Sequence, residues 1–224
     1  MKEKVKILTI AKDTFETLII VTEKPEGYQF YPGQATHVAI SKPGWEEEDR
    51  PFTFSSLPED PCLQFTIKTY PERDGVTDEM TNLSPGDELI IEKAAGAIRY
   101  QGSGVFIAGG AGITPFLAIF RDLHSKGDLG GNSLLYSNSH PDEAICAAEL
   151  KTRLGSNCRF FVTEGESGPF ENGQIDHDIL FEEVAKHPYG TYYYICGTSE
   201  MTKEIVHILE ELGISPAFII TEEY

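Results

Sequence analysis

Cysteine is scarce. The chain has four, Cys62, Cys146, Cys158 and Cys196, and no two form a C-x-x-C pair. That argues against a zinc knuckle or an iron–sulfur loop, and no metal site is expected. Their scatter suits a reduced compartment, the cytoplasm, better than a disulfide framework. Long apolar runs are also missing. No stretch approaches the ~18 apolar residues of a membrane span, and the opening MKEKVKILTI is too polar for a signal peptide. Basic residues are few. Eighteen Lys and Arg stand against 36 Asp and Glu, a formal net charge of −18. Residues 1–98 hold 10 basic and 18 acidic side chains, and residues 99–224 hold 8 and 18. Both halves are acidic, so nucleic acid is not expected as a partner, and any acidic protein partner is constrained. There is no internal repeat and no low-complexity tract.

What is present is an ordinary globular composition, 40% hydrophobic and 24% charged over 224 residues, enough for one large domain or two modest ones. Residues 4–98 read as short strands between turns. Val5, Ile7 and Thr9 alternate with lysines and Leu8, and Leu18–Val21, His37–Ile40, Arg50–Ser56, Leu63–Lys68 and Glu88–Lys93 follow. About six strands at this spacing predict an antiparallel Greek-key β-barrel. One helix over Asp78–Leu83, N-capped by Thr77, interrupts them. Ala94–Gly104 reads as a linker. Beyond it, strands alternate with helices. Strands are expected at Val105–Ala108, Ser133–Ser137, Arg159–Thr163, Tyr192–Cys196 and Phe218–Glu222. Helices are expected at Phe116–His124, Glu143–Leu154, Asp176–Ala185 and Thr198–Leu212. That alternation predicts an α/β domain built on a parallel sheet covered on both faces. The expected division is 1–98 and 99–224.

Two stretches carry chemistry. In Arg50-Pro51-Phe52-Thr53-Phe54-Ser55-Ser56 a cation stands at the mouth of a strand lined with hydroxyls, two residues from an aromatic ring. An arginine can fork onto a phosphate, a ring can cover a planar heterocycle, and a threonine hydroxyl can bond a ring nitrogen. Taken alone the stretch is equally an ordinary edge strand. The second is Gly109-Gly110-Ala111-Gly112-Ile113-Thr114-Pro115, between a buried strand and a helix. Glycines let the backbone approach a phosphate and the helix N-terminus supplies donors. The turn is neither G-x-G-x-x-G nor a Walker loop. Gly75-Val76-Thr77 before a helix is a third, weaker phosphate seat, and a plain capped helix is the alternative.

In this order, R-x-F-T-x-x-S, G-V-T, G-G-x-G-x-T-P, Y-x-C-G-x-x-x-M and a terminal aromatic resemble the ferredoxin–NADP reductase family, close to the small bacterial flavodoxin/ferredoxin reductases. The resemblance spans essentially the whole chain. It implies an FAD-binding barrel followed by a nicotinamide-nucleotide domain. It places Arg50, Pro51, Phe52, Thr53 and Ser56 on the flavin, with Phe52 where the family has a tyrosine. It also places Gly75, Val76 and Thr77 on the FAD pyrophosphate. In the second domain it puts Gly109, Gly110, Gly112, Thr114 and Pro115 on the nucleotide pyrophosphate. Cys196 and Gly197 would sit beside the nicotinamide, with Met201 following. Thr198 replaces a frequent proline. Glu222-Glu223-Tyr224 resembles an ending in which a terminal tyrosine stacks on the flavin.

The implied activity takes hydride from NADPH or NADH and passes electrons to a flavodoxin, a ferredoxin or a small molecule. Thr53, Cys196, Glu222 and Tyr224 are its expected catalytic residues. An electron-relay subunit of a larger complex and a free-flavin or ferric reductase are alternatives. No arginine follows the second strand in Ser137-Asn138-Ser139-His140, so the choice between NADPH and NADH stays open, with Lys151 and Arg153 as candidates to reach a 2′-phosphate.

Overall fold

The computed structural model describes residues 2–70 and 73–223. Its first half is a six-stranded antiparallel sheet. The strands are β1 Glu3–Thr14, β2 Thr17–Glu23, β3 Ala35–Ile40, β4 Arg50–Thr53, β5 Cys62–Lys68 and β6 Glu88–Ile91, in the order β4-β3-β6-β1-β2-β5. An antiparallel bridge between Phe54 and Phe65 joins the two edge strands, and closure of this kind removes exposed edges. The period of two sends alternate side chains inward: Val5 and Ile7 from β1, Leu63, Phe65 and Ile67 from β5, and Leu89 and Ile91 from β6 are buried together. β1 serves two partners, pairing β6 through residues 3–6 and β2 through 7–14, with a register shift between Ile7 and Thr9. Such an irregularity bends a strand and lets it turn a barrel corner.

The helix between β5 and β6 is shorter than the sequence predicts. It is a single turn, α1 Val76–Glu79, continued by a 3₁₀ turn over Met80–Asn82. Gly75, not Thr77, occupies the N-cap position, and no side chain caps it. Val76 and Met80 are buried in the barrel core, so packing rather than capping sets this element.

Residues 92–103 lead to the second half. Ala95 makes a bridge to Ala35 in the barrel, whereas Ile98 is already buried in the second core. The parallel sheet comprises β7 Gly104–Gly109, β8 Ser133–Asn138, β9 Cys158–Val162, β10 Glu171–Asn172, β11 Tyr192–Gly197 and β12 Ile219–Glu223, ordered β10-β9-β8-β7-β11-β12. Its helices are α2 Thr114–Ser125, α3 Ala147–Leu154, α4 His177–Ala185 and α5 Ser199–Glu211. Alternation along β7 divides the core. Phe106 and Ala108 face α2 and α3, while Val105 and Ile107 face α4 and α5. Both faces are therefore covered, as the alternation of elements predicts. Strand order reverses at β7, whose neighbours are β8 and β11, and ligands of such sheets bind beyond the strand ends at that reversal.

β4 ends at Thr53 rather than Ser56, α2 begins at Thr114 rather than Phe116, β10 is a strand the sequence pattern does not predict, and two further shifts have a visible cause. α3 begins at Ala147, not Glu143. Pro141–Glu143 form a 3₁₀ turn, and Cys146 is left-handed with φ 52°, its N–H donated to Asp13 Oδ2 of the barrel at 2.7 Å. A local helix signal yields there to a tertiary contact. The last strand starts one residue late, because Pro216–Phe218 form a 3₁₀ turn capped by Ser215. Two further ties join the halves. Lys68 Nζ donates to Glu143 Oε2 at 2.7 Å, and Arg121 of α2 bonds the Ser55 carbonyl while forking onto Glu149.

Candidate functional site: a cleft between the barrel and the parallel sheet

The C-terminal ends of β7 and β11 face the barrel across a cavity of about 160 Å³. The barrel wall is Pro51, Phe52 and Thr53 of β4, with Thr66, Ile67 and Lys68 of β5, joined by Ala35, Tyr70 and Thr77. The opposite wall is Ala111, Thr114, Pro115, Cys196 and Glu222. Strand geometry explains the barrel side. β4 pairs β3 with Thr53 opposite Ala35, and the bridge at Phe54 brings β5 alongside. Phe54 is buried in the barrel centre, and Phe52 and Thr53 just before it are half-buried.

The opposite wall is set by close backbone approach. Gly109-Gly110-Ala111-Gly112-Ile113 leaves β7 as a tight 3₁₀ turn and runs straight into α2, with Pro115 in its first turn. A Cβ on Gly112 would collide with the Cys196 carbonyl, and Gly110 has φ 52°. Glycine takes the left-handed step without strain, and the absence of a Cβ is what allows the contact with β11. The Thr114 hydroxyl donates to the Ala111 carbonyl at 2.9 Å, and the Tyr136 hydroxyl donates to the Gly110 carbonyl at 2.9 Å. The turn is held from both sides.

Cys196 and Glu222 close the floor. Burial pushes the Cys196 thiol up to about 12, and the nearby Glu222 charge adds to it. Glu222 is raised above the usual carboxylate range by burial, against hydrogen bonds from the Ala97 and Ile98 amides that lower it. Lys68 is held by Glu143 at 2.7 Å and Glu16 at 3.5 Å. Burial lowers its pKa, but the two carboxylates reverse this and leave it raised.

Of the residues expected from the sequence, the cleft gathers Pro51, Phe52, Thr53, Thr77, Thr114, Pro115, Cys196 and Glu222. Arg50 stands outside the lining, more than half exposed, donating to the Asp49 carbonyl at 2.6 Å. Ser56 is buried and accepts from the Gln64 N–H at 3.0 Å, so it pins the chain to β5. Val76 is a core residue, leaving only its backbone for a ligand. Met201 packs behind the turn against Gly109 and Gly197. Tyr224 lies outside the described residues. The sequence reading missed Thr66, Ile67, Lys68 and Tyr70. β5 alternates like any barrel strand, and nothing local marks it as the neighbour of β4.

The walls combine flat apolar surface (Phe52, Ile67, Tyr70, Pro115) with hydroxyls at Thr53, Thr66 and Thr77, a pattern suited to a planar heterocycle with polar edges. Among the described residues no cluster of His, Cys, Asp and Glu could hold a metal ion, and no helix is long and apolar enough to cross a membrane.

Residues 106–207 match the oxidoreductase NAD-binding domain. Across most of its length the chain is 23% identical to the ferredoxin–NAD(P)(+) reductase component of the naphthalene 1,2-dioxygenase system of Pseudomonas putida, covering 88% of this chain and 61% of that protein. It is 29% identical to the reductase component of propane 2-monooxygenase from Rhodococcus jostii (strain RHA1), covering 88% and 56%. The chain thus spans little more than half the length of these relatives. A ferredoxin NADP+ reductase from Neisseria gonorrhoeae, solved with bound FAD and NADP, superposes with a TM-score of 0.86 at 22% identity, covering 99% of this chain and 98% of that one.

Proposed function

We propose, from a chain whose second half is an oxidoreductase NAD-binding domain on a ferredoxin–NADP reductase-like fold, that it is an FAD-dependent oxidoreductase. It takes hydride from a reduced nicotinamide nucleotide and passes electrons to a ferredoxin- or flavodoxin-type protein or a small molecule. The observation that carries this reading is the cleft itself. Thr53 and Phe52 form one wall, and the glycine turn, Cys196 and Glu222 form the other, so a planar ring and a nucleotide can meet between them.

The residues present fit FAD. Bound there, the flavin supplies the redox chemistry, accepting two electrons as hydride and releasing them singly. The chain holds and orients. Phe52 covers the ring and the Thr53 hydroxyl bonds its polar edge. Arg50, exposed at the mouth of β4, turns to the pyrophosphate, and the backbone of Gly75–Thr77 meets the same group. Gly109–Gly112, Thr114 and Pro115 carry the nucleotide pyrophosphate. Cys196 and Gly197 form the surface beneath the nicotinamide, and Cys196, as a thiol with its pKa near 12, stays neutral and acts by shape. Glu222, also raised, holds a proton more readily than an exposed carboxylate and is the group placed to relay one.

We divide the chain into an FAD-binding barrel, 1–98, and a nucleotide domain, 99–224, and place the protein in the cytoplasm. Four free cysteines are consistent with a reduced compartment. The similarity to reductase components that this chain spans only in part supports a second reading, an electron-relay component working with a partner.

Acid release of the cofactor from purified protein, followed by chromatography, tests the flavin: one FAD per chain is expected, and FMN alone or a protein that refuses FAD would overturn it. Stopped-flow bleaching of the bound flavin by reduced nucleotide tests turnover, and a flavin that no reduced nucleotide bleaches would overturn the enzyme reading.

A further inference from the structure

A larger cavity, about 340 Å³, opens beyond the C-terminal ends of β8, β9 and β11. Ser137 comes to it from β8, Thr163 from the end of β9, and Thr198, Glu200, Met201 and Glu204 from the start of α5. It borders the glycine turn. Met201 lines it, and the same sulfur lies where a Cβ on Gly109 or Gly197 would stand. A nucleotide with its pyrophosphate on Gly109–Gly112 and its nicotinamide on Cys196 would have this space for its adenosine end. That assignment rests on the proposed function.

The charged lining of this cavity is wholly acidic. Glu200 and Glu204 are its charged residues, and among the described residues no Lys, Arg or His lines it. Basic side chains of the same half are engaged elsewhere. Lys151 lies over the Phe160 and Phe170 rings, Arg153 donates to Glu149, and Arg159 forks onto Glu171. Lys203, on α5 itself, donates to the Ser199 hydroxyl at 2.8 Å. Carboxylates four residues apart on a helix share one face, so the pair concentrates negative charge at this end of α5. A ribose 2′-hydroxyl can donate to a carboxylate. A 2′-phosphate brings up to two negative charges to two carboxylates and meets no cation of the lining.

We infer that this cavity takes the adenosine ribose of NADH and rejects the 2′-phosphate of NADPH, with Glu200 and Glu204 as the specificity-determining residues. Both are exposed and stand on the surface of a helix whose buried face is Thr202, Ile205, Ile208 and Leu209, so a glutamine at either site leaves the packing intact.

The test is flavin reduction by NADH and by NADPH in the FAD-loaded wild type and the Glu200→Gln/Glu204→Gln variant. The wild type should favour NADH in kcat/KM by about tenfold or more, a factor that modest like-charge repulsion supplies. In the variant the NADPH:NADH ratio should rise by about tenfold. Added salt should raise that ratio in the wild type, because exposed charges are screened, and should move it less in the variant. A wild type that favours NADPH, or a ratio unmoved by the substitutions and by salt, overturns the inference. Reduction by neither nucleotide is a different failure: it overturns the functional reading, and this inference with it.

Discussion

Cys196 and Glu222 are register partners on the adjacent parallel strands β11 and β12, and both line the cleft. Twenty-six positions apart in sequence, they come together because β12 returns parallel to β11 after α5. Both groups have pKa values raised above their ordinary range. Burial is the main cause for both, and the Glu222 charge adds to the shift of the thiol.

Thr53→Ala and Cys196→Ala should each slow flavin reduction while keeping the fold, because Thr53 is only half-buried and the buried Cys196 loses a single sulfur from a large core. Loss of a positioning contact can cost about 100-fold. Single-turnover reduction at the wild-type rate in either variant would remove that residue from the step.

Arg50→Ala should weaken flavin binding by roughly 1.5–3 kcal/mol, the scale of a charge-assisted hydrogen bond. Its present partners, the Asp49 carbonyl and the Glu48 carboxylate at 4.0 Å, are exposed and easily exchanged for phosphate. Titration of apoprotein with FAD measures this, and an unchanged dissociation constant rejects Arg50 as the ligand.

Gly112→Ala should destabilise the nucleotide domain. Its Cβ would strike the Cys196 carbonyl, and forced overpacking of this kind typically costs about 1–3 kcal/mol. Thermal melting reads the loss; a variant that melts with wild type would mean that the turn and β11 can separate without cost.

Acid should unfold the protein partly through Glu183. This carboxylate accepts from Ser133 Oγ at 2.7 Å and Lys186 Nζ at 2.8 Å, and His187 Nε2 lies 3.2 Å away. Burial would raise its pKa, but these partners hold it down to about 2. A lowered folded-state value stabilises above the unfolded pKa of 4.5 and is lost as pH falls toward 2. The contribution is on the order of 3 kcal/mol. Denaturant midpoints between pH 5 and 2 (roughly the span of this titration) should fall steeply in wild type and less steeply in Glu183→Gln; parallel curves would show that another group carries the acid sensitivity.

A chain ending at Glu223 should bind oxidised nucleotide about 2- to 12-fold more tightly than wild type. The prediction rests on the family resemblance of the terminal Tyr224: a ring stacked on the flavin is worth about 0.5–1.5 kcal/mol, which nicotinamide must displace. Identical affinities and difference spectra would exclude that stacking.

Local pattern determined much of this protein. Alternation with period two marked the barrel strands. Apolar runs alternating with helical segments marked the parallel sheet, and the glycine turn after β7 announced its own geometry, since Gly110 and Gly112 answer a left-handed step and a backbone contact. Tertiary structure decided the rest. Thr66, Lys68 and Tyr70 join the site because closure at Phe54 and Phe65 lays β5 beside β4, a long-range pairing that no local signal encodes. The same holds for Cys146, turned out of a helical run by Asp13 from the other half of the chain, and for Ser56, drawn from the site into the wall by Gln64. Propensity acts over neighbouring residues, whereas a cleft is made where distant strands are brought to one edge by burial of the cores on either side.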